Sequence, residues 1–231
     1  MSNILENYDN LQQQIKSICL QNNIDYPVEL IAVSKTFPST DILQIHLHSG
    51  HASFGENYPQ ELDLKAIELK KYNLQWHFIG NIQSNKIKLI AKHAAWVHSL
   101  GTLKHAISLN NNRDKNIAPL NILIEVNISG DKNKHGLTNI AEIIELAHQI
   151  NSLDNLSVRG LMGMSGATAD INLKNQQFSQ LKQLFDHLKA VPELKHIDTL
   201  SMGMSDDFEL ALKNGANMLR IGSLIFGKRT V

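Results

Sequence analysis

The stretch ELIAVSKTFPSTDIL, Glu29 to Leu43, contains the unit from which most of the chain is built. Glu29 to Ser34 is a short apolar run rich in strand-forming side chains. Lys35-Thr36 closes it, and Pro38-Ser-Thr-Asp41 opens a segment with the chemistry of a helix start. The same kind of run recurs at Ala52 to Gly55, Trp76 to Gly80, Trp96 to Ser99 and Leu120 to Val126. It returns at Val158 to Met162, Thr199 to Met202 and Met218 to Ile221. Between the runs lie segments with apolar residues at helical spacing, among them Ile140 to Ile150 and Asn175 to Leu188. Ser205-Asp-Asp-Phe-Glu-Leu210 reads as another helix start.

Strands alternating with helices imply parallel pairing through right-handed crossovers. Eight such units close a barrel, whereas an open doubly wound sheet has five or six strands. The expectation is an α/β fold, a single (β/α)8 barrel domain over residues 1–231. A helix at Ile4 to Cys19 falls outside the repeat and should pack on the barrel's exterior or bottom. No Pro- or Gly-rich linker divides the chain.

Composition narrows the function classes. Hydrophobic residues make up 42%, enough to fill a large core in 231 residues without covalent staples. Lys plus Arg balance Asp plus Glu at 22 each, so no field draws the chain to nucleic acid or to an anionic membrane. Cys19 is alone, which removes internal disulfides and cysteine-based zinc motifs, and it reads as a half-buried small hydrophobe. The segment MSNILENYDN lacks a basic start and apolar run, and no stretch approaches the ~20 apolar residues of a span. A cytoplasmic, monomeric protein is expected.

In a β/α barrel the loops after the strands form the working face. Lys35 ends the first strand there, behind the apolar Ile31, Ala32 and Val33. Partial desolvation favours a neutral amine, which Schiff-base chemistry requires, although a lysine in this position can equally reach into solvent. After the last strand, Gly222-Ser223 offers close backbone approach, amide N–H groups and a hydroxyl, and Ser201-Met-Gly-Met-Ser205 offers more one unit earlier. These are the loops where such barrels bind phosphate. A lysine facing a phosphate site suits either pyridoxal phosphate or a phosphorylated aldehyde or ketone.

Several blocks then resemble one family. AVSKTFP (32–38), FGENYPQE (54–61), WHFIGNIQSNK (76–86), VNISGDKNKHG (126–136), RGLMGM (159–164), LSMGMSDDFELA (200–211) and RIGSLIFGKR (220–229) are similar to the pyridoxal phosphate homeostasis proteins, in the family's order. The resemblance implies a barrel related to the N-terminal domain of alanine racemase, with pyridoxal 5′-phosphate as a Schiff base on Lys35. It implies phosphate held around Ser201, Gly222 and Ser223, Arg220 facing the pyridine nitrogen, and Asn57 and Met204 near the cofactor. The implied role is buffering or delivery of the cofactor, with cofactor-dependent apo-enzymes as recipients and no established turnover. Departures at Asn81-Ile82, Asp131, Met164-Ser165 and Ser223 touch loop details and leave the implied contacts in place.

Two enzyme readings stand beside the carrier. A racemase-like enzyme needs a second base opposite the lysine, and of the four tyrosines only Tyr58 falls in a top loop, where packing is the simpler expectation. A permanently charged Arg220 at the ring nitrogen would leave the ring a poor electron sink, unless that arginine instead pairs with a carboxylate at the barrel mouth. A class I aldolase usually places its lysine on a later strand. His46, His48 and His51 cluster without carboxylates at ligand spacing and read as a solvated helix end, and His77 reads as a hydrogen-bonded barrel residue.

Overall fold

The apolar runs become strands because each is buried on both faces, the environment a parallel sheet provides. In the computed structural model, which describes residues 4–131 and 134–228, the strands are β1 (Glu29–Val33), β2 (Ser53–Glu56), β3 (Gln75–Phe78) and β4 (Trp96–Leu100). They continue as β5 (Leu120–Val126), β6 (Leu156–Gly163), β7 (Thr199–Ser201) and β8 (Met218–Ile221). Each pairs in parallel with the next, and β8 returns to β1 with Arg220 opposite Ile31, closing the barrel in the expected order.

The helices are α1 (Ile4–Gln21), α2 (Ser39–Ser49), α3 (Pro59–Glu68), α4 (Ile87–His93) and α5 (Leu103–Asn112). After them come α6 (Ile140–Asn151), α7 (Ile171–Lys189), α8 (Phe208–Lys213) and α9 (Ser223–Phe226). Side-chain caps set several starts. Thr102 accepts from the His105 amide, Asn139 from Ala141, and Asp170 from both Asn172 and Leu173. The Asp170 cap begins α7 four residues ahead of the expected start. The start read at Ser205 is delayed to Phe208, because the Asp207 carboxylate accepts from the Met204 amide and holds the intervening residues in a turn.

The main core lies between the strands' outer faces and the helices, where Phe54, Phe78, Ile42, Ile45 and Phe178 are fully buried. Helix α1 covers the exterior beside α2, α8 and α9, and Asn7 Nδ2 donates to the Ile225 carbonyl at 3.1 Å. Cys19 on α1 is half-buried, and burial pushes its thiol pKa up, as fits a small packing residue. Among the described residues no helix is long and apolar enough to cross a membrane.

Register assigns the barrel's inner face. His77 pairs with Gly55 and Trp96, Met162 with Ser201, Ser201 with Met218, and Ile31 with Arg220. Ile31, Trp96, Leu123, Met162 and Met218 form a separate apolar cluster there. They share the interior with buried His77, His98, Ser201 and Arg220. A barrel interior this polar must satisfy each of its polar groups internally.

Candidate functional site

At the C-terminal mouth of the barrel a cleft of about 590 Å³ is lined by Lys35, Asn57, Met204, Arg220, Gly222 and Ser223, with Tyr58, Gly80 and Met164 on its rim. That volume suits a small-molecule ligand. The structure thus gathers six of the seven expected site residues on one wall. A larger hollow of about 790 Å³ lies at the strands' N-terminal ends, lined by Glu29, Thr199 and Met218. Of its charged groups, Lys182 is paired with Asp186 and Asp198 with Arg159, and it sits opposite the face where such barrels work.

Lys35 is half-buried and immediately follows β1. Its neighbours are unusually well held. Behind it lies a fully buried Glu56, whose Oε1 accepts from Ser34 Oγ at 2.6 Å and from Lys65 Nζ at 2.7 Å. Lys65 Nζ also donates to the Ser34 carbonyl at 2.8 Å and to Glu61 Oε1 at 2.7 Å. Burial pushes the Glu56 carboxyl up to about 7 against the pull of Lys65, and its Oε2 has no hydrogen-bond partner. On the other side of Lys35, Thr36 has a φ of 69°, and its amide donates to Glu61 Oε1 at 2.7 Å.

Asn57 is positioned by close contact. A Cβ built on Gly80 would lie 2.0 Å from the Asn57 carbonyl oxygen, so only glycine lets the loop after β3 lie against the loop after β2.

Arg220 is buried, and its guanidinium is directed rather than ion-paired. Nη1 donates to Ser201 Oγ at 2.7 Å and Nη2 to the Gly163 carbonyl at 3.1 Å. The carboxylate pair considered as its alternative role is absent among the described residues' ion pairs. Asp207 and Glu125 act on Arg220 only through their field, and burial lowers its pKa to about 10. Ser201 Oγ also lies 3.1 Å from His98 Nδ1, His98 Nε2 lies 3.0 Å from His77 Nδ1, and His77 Nε2 lies 3.2 Å from Gln75 Oε1.

Satisfaction fixes the direction of this chain. Ser201 accepts from Arg220, so its own proton goes to His98 Nδ1. His98 then carries its proton on Nε2 and gives it to His77 Nδ1, and His77 donates from Nε2 to Gln75. Both imidazoles are neutral. Burial holds His77 down to about 3 and His98 well below its ordinary value.

Ser201 does not line the cleft with the other six. It is fully buried beneath the cleft, off its wall, and its hydroxyl is spent between Arg220 and His98. The anion-binding features that do line the cleft are Gly222, the Ser223 hydroxyl and the first turn of α9, whose leading amides have no carbonyl within the helix. A Cβ on Gly222 would meet the Val33 carbonyl at 3.1 Å, so the glycine lets β8 approach β1 at this point. The neighbouring loop is shaped by buried Asp207, which accepts from the Met204 amide and from Ser165 Oγ, both at 2.7 Å.

Tyr58 is 54% exposed on the rim, not packed against the loop as expected. His46 bonds the His51 carbonyl and His51 the Ser53 carbonyl, while His48 pairs with Asp9 on α1. His77 is a hydrogen-bonded barrel residue, as read. His98, Lys65, Glu61 and Asp207 were not singled out by sequence. Only the pairing of Glu61 with Lys65 four residues later on α3 left a trace there.

The family model for the N-terminal domain of alanine racemase matches residues 3–230. A pyridoxal phosphate homeostasis protein of Haemophilus influenzae is 43% identical over 98% of this chain and 96% of its own. The chain belongs to the pyridoxal phosphate homeostasis family. Another family member, from Escherichia coli, is 42% identical over 87% of this chain and 86% of its own. Among solved structures, PipY of Synechococcus elongatus with PLP bound superposes with a TM-score of 0.83 at 29% identity, covering 97% of this chain and all of that one. An alanine racemase of Clostridium difficile shares the fold at a TM-score of 0.69 and 16% identity, with this chain covering 57% of it. The homeostasis family thus matches the chain from end to end, whereas the racemase continues well beyond the shared barrel.

Proposed function

We propose that the chain, as one domain over residues 1–231, binds pyridoxal 5′-phosphate in the C-terminal cleft, tethers it as a Schiff base on Lys35, and serves its homeostasis by buffering or delivery. The observation that carries this is the convergence of Lys35, buried Arg220 and Gly222-Ser223 on one cleft.

The residues fit the cofactor's distinct ends. Pyridoxal phosphate supplies an aldehyde that condenses with a lysine amine, and half-buried Lys35 offers that amine at the mouth. Gly222, Ser223 and the start of α9 would take the phosphate. Arg220, held by Ser201 and the Gly163 carbonyl, would meet the ring nitrogen with a group that keeps its charge near neutral pH. Asn57 and Met204 would flank the ring. A ring nitrogen facing a guanidinium stays unprotonated and withdraws electrons weakly, which fits holding and is also compatible with a racemase.

A racemase-like activity is the second reading, favoured by the shared fold and by exposed Tyr58 on the cleft rim. Recipients would be apo-enzymes that need the cofactor, and the protein would work as a cytoplasmic monomer.

Titrating the purified protein with pyridoxal phosphate and following visible absorbance tests the site. A saturable band in wild type that Lys35→Ala lacks is the expected result. Equal occupancy in Lys35→Ala would overturn the assignment, and robust turnover in racemisation or decarboxylation panels would overturn the carrier role.

A further inference from the structure

Residues on both sides of Lys35 are bonded to one cluster formed by Glu56 of β2 and by Glu61 and Lys65 of α3. Ser34 is held through its carbonyl by Lys65 and through its hydroxyl by Glu56, and Thr36 is held through its amide by Glu61. The Ser34 carbonyl also accepts from the Phe37 amide at 3.0 Å, which closes the turn around Lys35. Lys65 spends all three of its ammonium protons here, on Ser34, Glu56 and Glu61. Its side chain is 6% exposed, so these bonds face little competition from water.

Thr36 adds a second sign of constraint. A β-branched residue at a φ of 69° lies in a region that such residues rarely adopt, and it persists only where its surroundings impose it. The Thr36 amide donates to Glu61 in this conformation, and the Phe37 amide closes the turn on the Ser34 carbonyl. The bonds from Glu61 and Lys65 lie outside the β1–β2 ladder, which pairs through Ala32 with Phe54 and Val33 with Gly55.

We propose that Lys65 and Glu61 are positioning residues for Lys35: from α3 they fix the backbone on either side of it and so aim its amine at the carbonyl it must attack. This rests on Lys35 being the tether proposed above. A small error in that aim is expensive, since a displacement of ~1 Å at a reacting group can lower a rate about a hundredfold.

The test is the rate at which the full-length protein forms a borohydride-reducible adduct with added pyridoxal phosphate, read by stopped-flow absorbance and by mass. Glu61→Ala should slow it by about tenfold and Lys65→Met by more. Glu61→Gln keeps an oxygen for the Thr36 amide and should recover most of the loss, which a merely structural role would not require. Arg113→Met is the stability control. Arg113 holds the Ala91, Ala94 and Ala118 carbonyls away from the cleft, so its loss should lower the melting temperature while leaving the rate alone. If Lys65→Met fails to fold, Glu61→Ala carries the test, since the Glu61 side chain is 22% exposed.

Rates within about twofold of wild type for Glu61→Ala overturn the proposal, as does a Glu61→Gln rate no better than Glu61→Ala. Lys35→Ala run alongside separates the two levels. An undiminished adduct in that variant overturns the tether itself and this proposal with it. Loss of the adduct there, with Glu61→Ala unaffected, overturns this proposal alone.

Discussion

Arg220 Nη1 donates to Ser201 Oγ at 2.7 Å, joining a residue that lines the cleft to one buried beneath it. The bond joins the cleft's one buried guanidinium to a directed chain through His98 and His77 to Gln75, near the strands' other end. Arg220 is thereby aimed by neutral acceptors rather than by a carboxylate.

Ser201→Ala removes the junction and leaves Arg220 Nη1 and His98 Nδ1 unpaired in a dry interior. The expected cost is about 1–3 kcal/mol in unfolding free energy, together with weaker cofactor retention. Denaturant unfolding and a cofactor dissociation assay check both, and a cycle with His98→Gln should reveal strong coupling between the two sites.

His77 gives the chain a pH signature. In the fold it takes up a proton only near 3, whereas in the unfolded chain it does so near 6.5. Its contribution to stability is present above pH 6.5 and lost as pH falls toward 3, because the unfolded state binds more protons in that window. Unfolding free energies measured across the window should fall less steeply for His77→Gln than for wild type.

Glu56 carries the opposite sign. Burial raises its carboxyl to about 7 from 4.5, so the folded protein binds the extra proton between those values. Its contribution is present below 4.5 and lost as pH rises through 7. Glu56→Gln, which stays neutral, should flatten that part of the stability profile in the same denaturant measurement.

Gly80→Ala would place a methyl 2.0 Å from the Asn57 carbonyl oxygen. The two loops must separate, at a cost of about 1–3 kcal/mol, and Asn57 must move from the cleft wall. Thermal unfolding should register the first effect and cofactor titration the second.

Much of this was legible in the sequence, for reasons that also mark its limits. The strands were visible because parallel strands buried on both faces are continuous apolar runs, and all eight fall within two residues of their expected limits. Lys35 and Gly222-Ser223 were visible because chain order and strand ends assign residues to the working face, whereas Asn57 and Arg220 were singled out by the family resemblance. The burial of Ser201 beneath the cleft was not legible, for a reason of orientation. The last residue of a three-residue strand can point into the barrel or into the loop above it, and only the register with Met162 and Met218 decides. The His98–Ser201 contact joins residues 103 positions apart across the barrel's hollow, where no periodicity reaches. Lys65 was not legible as part of the site, because helix spacing pairs it with Glu61 but gives no hint that another of its bonds crosses to the Ser34 carbonyl.

The central claim is that Lys35 holds the cofactor. Borohydride reduction of the pyridoxal phosphate-loaded protein, followed by proteolysis and mass mapping, tests it most directly. The account predicts one modified peptide, containing Lys35, at near-stoichiometric yield. Label spread over other lysines, or concentrated on one of them with Lys35 unmodified, would contradict it.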